Sequence, residues 1–150
     1  VWGGWLPMSF IKKNWSNFKA RKTSMFIYAL LVLPILFAQY LGSINMWLAV
    51  LVIGIAAAAH QAWSANIFTT ASDMFPKKAV ASIVGIGGMA GGIGGVIVTK
   101  VGGALFDHYK SLGHIETGYT MMFTFCALAY LIAWLVMKSL VPEYKVITDL

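Results

Sequence analysis

A chain of 150 residues that is 59% hydrophobic and 14% aromatic, with a mean hydropathy of +0.77, lies far from the mix of water-soluble domains. That excludes an ordinary soluble enzyme and points to an integral membrane protein. The net charge of +6 does not mark a nucleic-acid footprint, because the basic residues are spread loop by loop and not gathered on one face.

The chain opens on Val1 to Phe10, an apolar stretch with no initiator Met, basic n-region or cleavage site. It reads as the tail of a further span, and the chain as a piece of something larger. Lys12, Lys13, Lys19, Arg21 and Lys22 fill the connection that follows. The first full span is Thr23 to Leu41, one of four stretches that reach the ~20 residues needed to cross ~30 Å of hydrocarbon. Apart from Gln39 and a few hydroxyls it is plain, and it is expected to face lipid. Pro34 is expected to kink it, which a membrane helix tolerates when other groups satisfy the freed carbonyl.

After the basic-free turn Gly42 to Asn45 comes the second span, Met46 to Phe75. Its first half is apolar. Its second half carries His60, Gln61, Ser64, Asn66, Thr69 and Thr70, with Asp73 at the end. His60 lies about 14 residues from Met46, roughly 21 Å at 1.5 Å per residue, and so at bilayer depth. At about 100° per residue, His60, Gln61, Ser64 and Phe68 share one face, with Trp63, Asn66 and Thr70 nearly opposite. A lipid-facing amide or imidazole is costly, so polar groups at that depth must meet protein or water. One of the two faces is expected to line an aqueous cavity. Hydroxyls, amides and an aromatic platform suit a polyhydroxylated ligand, with Gln61, Ser64 and Asn66 as hydrogen-bonding groups, His60 as donor or acceptor and Phe68 as a stacking surface.

Pro76, Lys77 and Lys78 lead into the third span, Ala79 to Phe106, with seven glycines between Gly85 and Gly95. Each glycine costs a helix in water roughly 1 kcal/mol relative to alanine. Such a helix needs lipid and close neighbours. The pairs Gly87/Gly91, Gly88/Gly92 and Gly91/Gly95 have the small-xxx-small spacing that lets backbones touch, so the stripe is expected to be packing surface and hinge. The string Gly85-Ile86-Gly87-Gly88-Met89-Ala90, with Asp107 about 20 residues on, also fits a permissive dinucleotide loop. That loop needs a strand before it and a soluble helix after it, whereas every flanking segment is apolar enough to span. Lys100 is near enough to the outer end to snorkel.

Lys110 stands beside Asp107 and Glu116, and the fourth span, Thr120 to Val141, is as plain as the first. Cys126 falls within it, which excludes disulfide and thiolate-metal frameworks. Lys138 and Lys145 follow. Basic loops thus alternate with basic-poor ones, and the positive-inside rule puts residues 11–22, 76–78 and the C-terminus in the cytoplasm. Tyr40, Trp47, Tyr109 and Tyr119 then belong to the outer aromatic belt, and Trp15 and Tyr144 to the inner one. A Walker lysine, an H-E-x-x-H string and paired carboxylates within the spans are all missing from the sequence, which gives no sign of an enzyme or of a metal or cofactor site.

Three stretches resemble the anion:cation symporters of the major facilitator superfamily, most closely their hexuronate transporter branch. Gly3-Gly4-Trp5-Leu6-Pro7, Phe10-Ile11-Lys12-Lys13 and Ala20-Arg21-Lys22 are similar to the connection between helices 8 and 9. His60-Gln61, Ser64-Ala65-Asn66-Ile67-Phe68-Thr69-Thr70 and Ser72-Asp73-Met74-Phe75-Pro76-Lys77-Lys78-Ala79 resemble helix 10 and its exit. Gly85-Ile86-Gly87-Gly88-Met89-Ala90-Gly91 resembles the start of helix 11. The resemblance implies an all-α membrane protein whose four spans, after the end of a fifth, correspond to helices 8–12, residues 1–150 being part of a C-terminal six-helix half.

It further implies proton-coupled uptake of hexuronates such as glucuronate and galacturonate by alternating access, across a bacterial inner membrane, with the N-terminal helices as partners. Helices 10 and 11 would border the cavity, with 9 and 12 outside. The family's proton-coupling acids and carboxylate-binding arginines lie mainly in its N-terminal half. The only arginine here, Arg21, falls in a connection, and the acid usual near Pro7 is missing. His60 has a side chain that titrates in the range of a proton carrier. Alternatives are another anion, such as galactonate or glucarate, and a non-transporting membrane anchor or assembly subunit.

Overall fold

The computed structural model describes residues 2–143, the side chain of Trp2 excepted. Val1, Tyr144 and Lys145 lie outside the described residues. The described chain is all-helical: α1 (Trp2–Ile11), α2 (Asn17–Val32), a 3-10 segment (Leu33–Phe37), α3 (Ala38–Ile44), α4 (Met46–Met74), α5 (Lys77–Ser111) and α6 (Ile115–Leu140). Four helical stretches are long and apolar enough to cross a membrane: Asn17–Ile44, Met46–Met74, Lys77–Ser111 and Ile115–Leu140.

These helices run past the apolar windows at most ends. Ser16 caps α2, its hydroxyl accepting from the Lys19 amide at 3.4 Å, so the helix starts in the basic stretch and not at Thr23. Arg21, read as a loop residue, therefore sits on the second turn of α2. α5, at 35 residues, is about 52 Å long and overshoots the hydrocarbon. It is closed by Gly113, whose φ of +77° is a conformation glycine adopts without strain.

Pro34 has no N–H to donate to the Leu30 carbonyl, four residues back. The chain responds by tightening. The Leu33 amide bonds to that carbonyl instead, and a 3-10 turn carries the span to Phe37 before α-helix resumes. The kink expected there is thus a change of helix type.

The core lies among α2, α4 and α6. Met25, Tyr28, Ala29 and Val32 of α2 and Ile35 of the 3-10 segment pack on Val52, Ala56, Ala59, Ala62 and Trp63 of α4 and Ala127 of α6. α1 leans on α2 and α4, while among the described residues α5 touches only α4 and α6. This corrects the expectation that the first plain span faces lipid, since it is the most buried of the four. The fourth packs on α2 and α5 but keeps most of its surface open. Apolar composition does not separate the two environments, because lipid tails are as apolar as leucine.

α5 and α6 approach through glycine. A Cβ on Gly118 would lie 3.3 Å from Phe106 and 3.5 Å from Tyr109, and one on Gly102 would lie 3.2 Å from Met122. Gly118→Val is expected to lower stability by about 1–3 kcal/mol through overpacking, read as an earlier denaturant midpoint in detergent. An unchanged midpoint would contradict the contact.

Candidate functional site

The polar half of α4 has the two faces its spacing implies, and they meet different surroundings. Trp63 and Asn66, 5% and 2% exposed, point into the bundle with Ala59 and Ala62. His60, Gln61 and Phe68 are exposed on the other flank, with Ser64 half-buried beside them.

Asn66 has a specific task. Pro7, inside α1, cannot donate to the carbonyl four residues before it, which is that of Gly3. The Asn66 Nδ2 group donates to this oxygen at 2.7 Å and to its own helix at the Ala62 carbonyl at 2.8 Å. The Tyr28 hydroxyl donates to the same Gly3 oxygen at 3.3 Å. The two helices approach closely enough that a Cβ on Gly3 would lie 2.9 Å from the Ala62 Cα. Asn66, expected among the ligand-facing groups, is therefore engaged in joining α1 to α4.

The hydroxyls nearby are also engaged. Thr69, Thr70 and Ser72 donate to the carbonyls of Ala65, Asn66 and Phe68, at 2.6, 2.7 and 3.2 Å, as hydroxyls on a helix commonly do. What stays on the open flank is His60, Gln61, Ser64 and Phe68.

His60 has a partner on another helix. Its Nδ1 and the Tyr130 hydroxyl of α6 are hydrogen-bonded, and Tyr130 also meets the Trp63 ring edge-on, with centroids 5.6 Å apart. Tyr130 was not among the sequence candidates. The signal for it is depth: His60 is 14 residues after Met46 and Tyr130 is 15 after Ile115, the starts of two helices that run in the same direction through the bundle.

Arg21 and Asp73 form a second link that spacing did not reveal. Arg21 Nε lies 2.8 Å from Asp73 Oδ2, with the side chains 17% and 29% exposed, tying the start of α2 to the end of α4.

The glycine stripe behaves differently. α5 is an unbroken helix through Gly85–Gly95, and a Cβ on Gly87, Gly88, Gly91, Gly92 or Gly95 would meet nothing within 4 Å. Among the described residues no helix packs on that face. Of the aromatic residues expected near the ends of the spans, Tyr40 and Trp47 are 67% and 69% exposed, and Trp15 stacks on Phe10 with centroids 4.9 Å apart. Comparison of the chain with protein-family models, curated proteins and solved structures gives no match.

Proposed function

We propose that this chain forms one wall of the substrate path in a secondary transporter of small organic anions, with hexuronates as the class implied by its resemblance to the anion:cation symporters. One observation carries the proposal: Gln61, Ser64 and Phe68, beside a His60 bonded to Tyr130, stay open on a membrane helix whose other polar groups are engaged in packing. A side chain such as Gln61 facing lipid at that depth is unfavourable by kilocalories. The flank therefore calls for water, a ligand or further protein.

In this role Gln61 and Ser64 hydrogen-bond sugar hydroxyls, Phe68 supplies a stacking surface, and the bond from Tyr130 fixes the ring of His60. α5 would be the sliding element, its glycine face turned to the remaining helices of the carrier. The proton would be the coupling ion, and the basic ends would lie in the cytoplasm of a bacterial cell. A membrane anchor that only binds other helices would use the same open α5 but leaves the polar flank of α4 without a purpose.

Proton-driven glucuronate uptake by the complete protein tests this. Gln61→Ala and Ser64→Ala are each expected to weaken apparent affinity about tenfold, the loss of one good hydrogen bond. Unchanged affinity and rate in both would overturn the assignment.

A further inference from the structure

At the basic end of the bundle, α2 and α6 enclose a groove of about 340 Å³ that neither the transport reading nor the core explains. Lys19, Lys22 and Lys138 stand along it, and Phe18, Phe26 and Trp134 form its apolar part. On α2, Lys19, Lys22 and Phe26 are three and four residues apart, and on α6 Trp134 and Lys138 are four apart, so each helix turns one face to the groove.

The floor is fixed. Trp134 Nε1 donates to the Lys22 carbonyl at 3.0 Å, and its ring lies 4.6 Å from that of Phe26. The lysines are laid against aromatic faces, with Lys22 Nζ 4.7 Å from the Phe18 centroid and Lys138 Nζ 5.2 Å from that of Trp134. Lys22 makes one hydrogen bond, to the Val141 carbonyl at 3.4 Å, out of the three its ammonium can donate.

The lining includes no acid. Arg21, on the same turn of α2, takes Asp73 on the α4 side. Lys22 and Lys138 stand on facing helices along the same groove, so an anion between them relieves the repulsion of their charges. The groove lies at the basic ends of two helices apolar enough to span a membrane, its lysines interleaved with its rings.

We infer that this groove binds the headgroup of an anionic glycerophospholipid, its phosphate among Lys19, Lys22 and Lys138 and its glycerol and upper acyl carbons against Phe26 and Trp134. Basic pockets between helices at a membrane surface suit such headgroups. A soluble phosphate ester would engage only the lysines and leave the rings unused. The inference needs the helices to span a membrane and does not need them to transport anything.

Native mass spectrometry of the delipidated full protein tests it with phosphatidylglycerol, phosphatidylcholine and glycerol 3-phosphate as separate probes. One phosphatidylglycerol is expected to bind in preference to phosphatidylcholine, with glycerol 3-phosphate failing to displace it. The double variant Lys22→Gln/Lys138→Gln is expected to bind about 25-fold more weakly, from roughly fivefold per lysine. Lys77→Gln/Lys78→Gln, at the same end but outside the groove, should bind as the parent does. Lys138 is exposed, so Lys138→Gln alone gives a readout without burdening the fold, and Lys138→Arg should retain binding. Equal loss in the Lys77/Lys78 variant, equal binding of phosphatidylcholine, displacement by glycerol 3-phosphate, or full binding by the Lys138→Gln variant would each overturn the site.

Discussion

Gly3→Val is expected to detach α1 from α4 and to lower stability by about 3 kcal/mol or more. The new Cβ would lie 2.9 Å from a backbone atom, the Ala62 Cα, so the helices must separate because no rotamer relieves the clash. Separation also strips the Gly3 carbonyl of the Asn66 amide and the Tyr28 hydroxyl that replace the N–H missing from Pro7. An unsatisfied carbonyl in an apolar interior costs about 1–3 kcal/mol.

The two contributions separate experimentally. Asn66→Ala alone removes the amide and should cost about 1–2 kcal/mol, in the upper range for a hydrogen bond between membrane helices. In a Pro7→Ala background the residue at position 7 regains an N–H that reaches the Gly3 carbonyl, so the same Asn66→Ala change should then cost markedly less. Denaturant titration of the four proteins in mixed micelles gives the coupling directly. Equal costs in the two backgrounds would show that Asn66 does not serve the carbonyl that Pro7 frees.

The second large effect is expected at the other end of α4. Asp73→Asn removes the only acid bonded to Arg21 among the described residues and leaves its guanidinium partly buried close to Lys22. Breaking a fully buried pair typically costs 3–5 kcal/mol, and an exposed pair contributes little. Exposures of 17% and 29% place this pair between, at about 1–2 kcal/mol. Arg21→Ala should cost a similar amount, and the double variant less than the sum of the two. The exchange Arg21→Asp/Asp73→Arg should recover part of the loss, since attraction across 2.8 Å survives reversal of sign. Additive single effects in the double variant, read by the same titration, would show that the two side chains do not support each other.

Hydropathy found every span because lipid imposes one requirement, unbroken apolar length. Met46 to Phe75 was expected and Met46–Met74 is observed. The ends were less legible: the helix from Asn17 and the one through Ser111 continue where the hydrocarbon stops, on capping and on charged side chains that suit a helix in water. Which face of a plain span is packed was not legible at all. Leu31 and Val32 are equally apolar, yet one is 44% exposed and the other 2%. The polar half of α4 gave its two faces correctly, since 100° per residue is geometry. It does not tell which face is packed: Asn66 shares its face with Trp63, as the spacing implies, and that face is the one turned into the bundle. The signal for its task was present at Pro7: counting back four residues gives the carbonyl that needed a donor.

α5 is joined to the rest by short turns at Pro76 and Gly113 and, among the described residues, touches only its two sequence neighbours, α4 and α6. α5 is held by α6 as closely as α2 is, but on one flank only, and its glycine flank is left uncovered. A side chain added along that stripe would therefore leave the packing of α2, α4 and α6 as it is and change only the surface that α5 offers to whatever covers it.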